Sequence, residues 1–343
     1  MKKLVLAVLA LGAMAACTKS NVQYEQPGEI SLQPVTQKAT KAAVDGTYYP
    51  TGTAYNFNVW AWWADKNAGT ALAEFTSTTD YIAEGTFTAR NNVSWGGVTP
   101  YYWPTKGSLV FAGYSPASAD VAGTTFNYSW DSKTFTVSNY IQSNDIAQTK
   151  DLMWFDVTDK SYNQNGTDGV PVTFKHALSW LTFKFKLAKN DTPQNWIITN
   201  VKLTGIENTA SFASTTGWDE ATNSHEVGVW SVRDGVTPYT VTSEEKVLES
   251  TTNGVVVIPQ SCAPGTPAAE GVAAVAAAAE LVITYNMKTY VGNGVLEGQE
   301  VKLPLNGSQI SDDEWLPGKH YIYTITFGNN EILISPSVTN WIE

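Results

Sequence analysis

The stretch Phe174-Lys175-His176-Ala177-Leu178-Ser179-Trp180-Leu181-Thr182-Phe183-Lys184-Phe185-Lys186-Leu187 lies close to the midpoint of the chain and decides its fold. Its large apolar residues occupy even positions up to Trp180 and odd positions from Leu181 onward. Side chains of a strand alternate between two faces, so the second half of the stretch predicts a half-buried strand. The parity change predicts a bulge, a bend, or a strand that leaves one sheet and enters another. We interpret the stretch as the entry to a second β domain; a single kinked edge strand is the alternative.

Short strand-like runs separated by Gly, Pro and Asn cover most of the remaining chain, which is typical of β-sandwiches. In the first half, residues 55–62 carry apolar side chains at both parities, as expected for a strand buried on both faces. The runs at 126–128 and 134–137 are predicted to belong to the first sheet set. Residues 208–238 are interpreted as a long segment with several turns. Helix is expected in one place, the Ala-rich residues 267–280.

Length and composition suggest an exported protein with two domains. A chain of 343 residues is long for one hydrophobic core. Its residues are 43% hydrophobic and only 15% charged, a β-rich, extracytoplasmic style of composition. The formal net charge of −11 argues against nucleic acid as a partner.

The first residues have the pattern of a bacterial lipoprotein leader. Lys2 and Lys3 precede an apolar run, and small residues precede Cys17. We therefore predict a signal peptide over residues 1–16, lipidation at Cys17 and a lipid anchor in a membrane. An ordinary signal peptide or an anchored helix is the alternative, although the apolar run is too short to span a bilayer. Only Cys262 then remains, so no intrachain disulfide is expected.

Residues 17–44 are polar and poor in large hydrophobic side chains, and we interpret them as a tether or a removable segment. Within them, Lys38 and Lys41 each precede Ala and are candidate sites of proteolytic processing by a trypsin-like protease. Ordinary solvated lysines are the alternative interpretation.

No pattern in the sequence points to catalysis. The three histidines have no metal-ligand spacing with one another or with a Cys, so no metal site and no cofactor are expected. The carboxylates of residues 312–314 are interpreted as a solvated turn. A nucleophile elbow and a phosphate-binding loop are both absent from the sequence, and we predict that the protein is not an enzyme.

Aromatic residues suggest a second kind of function. Trp95, Tyr101, Tyr102 and Trp103 are candidates for a sugar-stacking surface, which would need at least two coplanar exposed rings. Core packing is the alternative, since aromatic side chains are highly buried on average. Exposure of these side chains discriminates between the two interpretations.

Several of these pieces together resemble the fimbrillin family, the Mfa-like and FimA-like pilins of Bacteroidetes-type bacteria. The matching residues span most of the chain in the expected order: Cys17, the Lys38/Lys41 segment, 174–179, 257–260, 315–323 and 338–341. The resemblance implies an all-β fold with two tandem transthyretin-like β-sandwich domains after a lipoprotein leader and tether. We place the leader at 1–16, the tether at 17–44, the N-terminal domain at 45–170 and the C-terminal domain at 171–343.

The resemblance also implies a function in cell-surface fimbriae that support adhesion. It places the protein on the cell outer membrane, surface-exposed, as a stalk, tip, anchor or accessory subunit. Its partners would be other fimbrial subunits, in a homo- or hetero-polymer joined by a donor strand; a host or glycan ligand is not specified. No Arg precedes Arg90, so a protease specific for Arg could not cut the tether. A surface lipoprotein that binds glycans without polymerising is the alternative.

The mechanism suggested by the resemblance has a physical basis. We hypothesise that residues between Cys17 and Lys41 dock along the first domain, and that cleavage at Lys38 or Lys41 removes them. Removal would leave unpaired amides and an apolar groove, an unstable arrangement unless another strand is added. A strand from a second subunit would restore both. Repeated head to tail without closure, this junction would give a fibre.

Overall fold

The structure is a computed structural model. It describes residues 28–36, 49–50, 55–65, 79–118, 121–145, 148–160, 169–189, 194–219, 221–232, 237–248, 255–263, 278–289, 294–306, 313–329 and 331–340. These ranges contain strands and no α-helix, which confirms the all-β class. None of them holds a helix that could cross a membrane. The predicted Ala-rich helix falls almost entirely outside the described residues.

The first nine strands have 3 to 11 residues and the others 2 to 20. The first nine are β1 (Ser31–Thr36), β2 (Phe57–Ala64), β3 (Thr79–Ala89), β4 (Trp95–Gly97), β5 (Ser108–Ser115), β6 (Thr125–Ser129), β7 (Thr134–Ile141), β8 (Met153–Lys160) and β9 (Val170–His176). The others are β10 (Ser179–Leu187), β11 (Gln194–Ala213), β12 (Gly217–Trp218), β13 (Thr222–Ser231), β14 (Tyr239–Thr240), β15 (Lys246–Val247), β16 (Val255–Val257), β17 (Glu280–Thr289), β18 (Val295–Pro304), β19 (Lys319–Phe327) and β20 (Ile332–Asn340).

Seven strands of the first half form a closed barrel. Their order is β1, β4, β3, β2, β5, β8 and β9, and β9 pairs back to β1. Side chains that alternate along each strand fill the interior, among them Phe57, Val59, Phe111 and Phe155. Within this ring β1 is the strand that connects β4 to β9. The predicted sandwich of the first half is therefore closed at one edge by β1.

The second half contains two sheets that pack face to face. A five-stranded sheet has the order β15, β10, β19, β20, with β16 also on β10, and an eight-stranded sheet is built around β11 and β17. One buried cluster draws on both sheets, for example Phe183 and Ile325 from the first and Val201 and Ile283 from the second. This is the two-layer arrangement that a β-sandwich requires.

The deciding stretch connects these two parts, but the connection lies before the parity change and not at it. Strand β9 ends in the barrel, residues 177–178 break the pairing, and β10 begins in the five-stranded sheet. Leu181 lies in the core between the two sheets, whereas Trp180 belongs to a separate buried cluster with Tyr114 and Phe212. Pairing of β10 with β19 is regular throughout, so no bulge is needed. The parity changes because both faces of β10 are covered where it begins.

One prediction about individual strands is wrong. The hairpin β6–β7 does not join the barrel; β7 pairs with β11, so the eight-stranded sheet takes strands from both halves of the sequence. Phe135 on β7 packs against Tyr114 and Phe212, residues distant in sequence, and local periodicity does not indicate such contacts. The long segment 208–238, expected to contain several turns, includes the end of β11, a turn at residues 214–216 and the whole of β13. The division into tandem domains at residues 170 and 171 stays a prediction.

A histidine in the five-stranded sheet makes stability depend on pH. The ring of His320 stacks on Trp180, with ring centroids 3.5 Å apart, and its Nε2 lies 3.0 Å from Thr182 Oγ1. Burial, and to a lesser degree the charge of Lys184, lowers the pKa of His320 from 6.5 to about 4. Between the two pKa values, His320 is protonated in the unfolded chain and neutral in the folded chain. Stability should therefore fall as the pH falls from 7 through this range.

We expect this one group to remove about 2 kcal/mol of the free energy of unfolding at pH 5. Urea unfolding of the wild type and of His320→Phe at pH 7 and pH 5 measures it. The Phe ring can keep the stacking contact without the titrating nitrogen, so the variant should lose less stability than the wild type on acidification. An identical loss in both proteins would contradict the assignment.

Candidate functional site

The candidate site is the groove of the barrel that β1 fills. Residues 32–36 pair in parallel with β9, from Leu32 opposite Val170 to Thr36 opposite Phe174. On the other side, Ser31 and Leu32 pair antiparallel with β4. Before the strand, Ile30 N donates to Tyr101 O at 2.7 Å, and Trp103 N donates to Gly28 O at 3.1 Å. The backbone of residues 28–36 is thus hydrogen-bonded to neighbours on both sides.

Alternate side chains of this segment point into the barrel. Ile30 and Leu32 are fully buried and Pro34 is buried, whereas Ser31 and Gln33 are half-buried. Ile30 and Leu32 belong to the same core as residues of the flanking strands and loops, namely Trp95, Trp103, Val170, Val172 and Phe174. Burying an Ile or Leu side chain contributes about 1.5–3 kcal/mol. The segment is therefore part of the core, although residues 17–44 as a whole look like a tether in sequence.

Two glycines allow β1 to lie close to its neighbours. Gly96 is opposite Ser31 on β4, and a Cβ there would come within 2.6 Å of Arg90 Nε and 3.0 Å of Glu29 Oε1. Gly169, directly before β9, has a φ of +83° and would place a Cβ 2.8 Å from Ser31 Oγ. Larger residues at either position would crowd β1 or the ion pair at its start.

The further contacts at the two ends of the segment are weak. Arg90 Nη2 contacts Glu29 Oε1 at 3.1 Å, but both side chains are more than 40% exposed, so the pair contributes little. Tyr49 N donates to Pro34 O at 3.2 Å. Tyr81 donates to Tyr102 O at 2.6 Å and so supports the 101–103 segment, and burial raises the pKa of Tyr81. Most of the attachment is therefore backbone pairing and apolar packing.

The four aromatic candidates lie at this groove but do not form a sugar-stacking surface. Trp95 and Trp103 are buried in the barrel core, which corrects their assignment as surface residues. Tyr101 is half-buried and stacks on Phe87, with centroids 6.1 Å apart. Tyr102 is 52% exposed. Of these four rings only one is exposed, so the condition of two coplanar exposed rings is not met, and the core-packing interpretation agrees with their burial.

The other predicted site residues cannot be placed. Cys17, Lys38 and Lys41 lie outside the described residues, so lipidation and processing stay predictions. The signal for β1 itself was present in the sequence, since Ile30, Leu32 and Pro34 alternate with Ser31 and Gln33. The run is too short to be distinguished by periodicity from other apolar pairs in a polar segment.

The chain is similar to known fimbrial proteins. The sequence model of a family described as fimbrillin-like matches residues 40–341. A crystal structure of a fimbrial protein from Bacteroides vulgatus has a similar fold, with a TM-score of 0.59 and 19% identity over 92% of this chain and 99% of that chain. The tip fimbrial protein Mfa3 from Porphyromonas gingivalis matches with a TM-score of 0.36 and 13% identity over 91% of this chain and 100% of that one. No curated protein matches the chain.

Proposed function

Since the chain belongs to the fimbrillin-like family and is a fimbrial subunit, we propose that it joins its neighbours by exchange of strand β1. The observation that carries the proposal is that, among the described strands, β1 is the one that connects β4 to β9 in the barrel. Taking it away would unpair two strand edges and open a core lined by Trp95 and Phe174. A strand from a second subunit restores the hydrogen bonds and the core together.

Strand β20 is the best candidate for the replacing strand. Its segment Glu331-Ile332-Leu333-Ile334-Ser335-Pro336 has the same pattern as Glu29-Ile30-Ser31-Leu32-Gln33-Pro34, with Glu, Ile and Pro at matching positions and Ile334 in place of Leu32. The side chains that would enter the groove are those at alternate positions, Ile332, Ile334 and Pro336. The proline at the third of these positions supports the match, because proline has no backbone N–H and both segments lack that hydrogen-bond donor at the same place.

The position of β20 makes it available for exchange. It pairs with β19 on one side only, at the edge of the five-stranded sheet. Ile332, Ile334 and Pro336 are only partly buried there, and Leu333 is 51% exposed. Transfer of Ile332 and Ile334 into a fully buried groove would therefore gain apolar burial relative to their present site.

The remaining steps of the proposal concern the N-terminal segment. Lipidation at Cys17 anchors the precursor to the cell outer membrane, facing outward, and a trypsin-like protease cuts at Lys38 or Lys41. Cutting there would separate β1 from the rest of the chain, whose next described residue is Tyr49. The protein has no catalytic role in this proposal. The two halves act as tandem domains, with the β6–β7 hairpin bridging them through β11.

Limited trypsin digestion of the purified, non-lipidated chain tests the proposal. We expect loss of the segment up to Lys38 or Lys41, followed by a ladder of multimers seen by size-exclusion chromatography and electron microscopy. The variant Lys38→Ala/Lys41→Ala should keep the segment and stay monomeric. A chain that is fully cut and remains a folded monomer would contradict strand exchange.

Matched variants of β20 test whether that strand is the donor. Ile334→Asp places a charge where the donor would enter the core, and should abolish multimers after cutting. Leu333→Asp places the same charge on the opposite, exposed face of the strand and should leave multimers intact. Equal behaviour of the two variants would show that β20 is not the donor.

A further inference from the structure

A cavity in the second half of the chain is not used by strand exchange. It has a volume of about 500 Å³ and is open to solvent on one side. Its walls include the ring of Trp218 and the apolar side chains of Pro259 and Leu316. Three carboxylate residues, Glu207, Asp219 and Glu314, also line it.

The backbone around the cavity is fixed by hydrogen bonds. Gln260 is almost fully buried, and its side-chain amide accepts from Glu207 N at 2.8 Å and donates to Glu207 O at 3.0 Å. Trp315 N donates to Gln260 O at 3.0 Å, and Glu314 forms a bridge with Ser261. Glu207 and Glu314 are therefore both held by the segment formed by Gln260 and Ser261. The cavity lies against strand β11 at Gly205, where the pairing of β11 with β13 shifts register.

The aromatic wall is anchored from behind. Trp218 Nε1 donates to Ala177 O at 2.6 Å, and the ring packs against Phe212 and Tyr140 at centroid distances of 5.2 and 5.6 Å. The ring is only half-buried. Because Ala177, Phe212 and Tyr140 hold the Trp218 ring in place, its position does not depend on a ligand.

The charge of the lining has one sign. Among the residues of the lining that the structure describes, three carry carboxylates and none is Lys, Arg or His. Asp219 is held in place by Ser211 N, which donates to its Oδ1 at 2.6 Å. Among the described residues no group of three acidic, His or Cys side chains is arranged to hold a metal ion. An organic cation suits the cavity better than a metal.

We propose that this cavity binds a primary ammonium group carried on an aliphatic stem, either a free diamine or the lysine side chain of a peptide. The carboxylates of Glu207, Asp219 and Glu314 attract the ammonium and accept its hydrogen bonds. The Trp218 ring offers a cation–π contact, and Pro259 and Leu316 cover the methylene stem. Binding at this site is independent of strand exchange.

Isothermal titration calorimetry on the intact, uncut chain tests the proposal. Nα-acetyl-lysine amide is the probe and Nα-acetyl-norleucine amide, which lacks the ammonium, is the matched control. We expect binding of the first only, with an affinity that falls as salt is added. Cadaverine distinguishes the two sources of the ammonium: tighter binding of cadaverine indicates a free diamine, and tighter binding of the lysine derivative indicates a peptide.

Variants place the binding in the cavity. Glu207→Gln/Glu314→Gln should weaken the lysine derivative at least tenfold, and Trp218→Leu should also weaken it. Glu297→Gln removes an exposed carboxylate on β18, outside the cavity, and should change nothing. Unchanged thermal unfolding of the carboxamide variants checks that they fold. Equal binding of the lysine and norleucine derivatives, absence of binding, or an equal effect of Glu297→Gln would overturn the proposal.

Discussion

Leu32→Ala should lower the free energy of unfolding by about 4 kcal/mol, a large share of the stability of a typical domain. Leu32 is fully buried in one core with Trp95 and Val170, and the backbone pairing of β1 with β4 and β9 limits how far the strands can close around the space that Ala would leave. Urea unfolding of the uncut chain, followed by tryptophan fluorescence, measures the change. The barrel contains several buried tryptophans, so its opening gives a signal.

Gln33→Ala is the control for Leu32→Ala, because Gln33 is next in the chain and its side chain points to the other face of β1. It should change the free energy of unfolding by less than about 1 kcal/mol. If both variants lost the same small amount, β1 would be only loosely docked. The groove would then not need a replacement strand.

Asp151→Ala should cost about 3 kcal/mol of unfolding free energy. The Asp151 carboxylate contacts His176 Nδ1 at 2.7 Å, and both side chains are almost completely buried. His176 is the last residue of β9, directly before the chain passes from the barrel to β10. Removing the carboxylate takes the 2.7 Å contact with Asp151 away from a buried polar ring at this junction.

Asp151→Asn keeps an acceptor oxygen at the same place and should cost about 1 kcal/mol. Thermal or urea unfolding of the two variants against the wild type gives the comparison. The difference between the two variants reports the hydrogen bond and packing that Asn keeps and Ala loses, and the difference between the wild type and Asn reports the replacement of the carboxylate by an amide. Equal losses for Ala and Asn would mean that the acceptor oxygen retained by Asn contributes nothing, and a loss near zero for both would show that the contact between Asp151 and His176 does not stabilise the junction.

The sequence predicted the elements with strong local patterns. The parity change at Trp180 and Leu181 reflects a strand that is covered on both faces where it begins, and the passage from the barrel to the second sheet lies just before it, at residues 177–178. Leu181, Phe183 and Phe185, on one face of the predicted strand, are buried together in the core, with Leu187 partly buried at its margin. Such features depend on neighbours in sequence, where alternation is legible.

Pairings between distant strands were not predictable in the same way. The hairpin β6–β7 has ordinary strand composition, and nothing in residues 125–141 indicates that its partner is β11 rather than the barrel. Trp95 and Trp103 are buried in one core with residues of β1 and its N-terminal neighbour Ile30. The polar composition of the segment that contains β1 does not indicate this contact. Docking of the N-terminal segment along the first half of the chain was therefore expected, whereas two of the aromatic residues proposed for a separate surface, Trp95 and Trp103, are buried in the core beside β1.

The parallel pairing of β1 with β9 has a consequence for the order in which the chain folds. Leu32 meets Val170, far along the chain, and closing so long a loop is entropically costly and slow. During synthesis or export β1 emerges first, yet it can complete its edge only after β9 has been made. Until then the nascent barrel has a vacancy at the same place where exchange would occur. A subunit that must finish folding by inserting a strand late is thereby suited to accept one from outside.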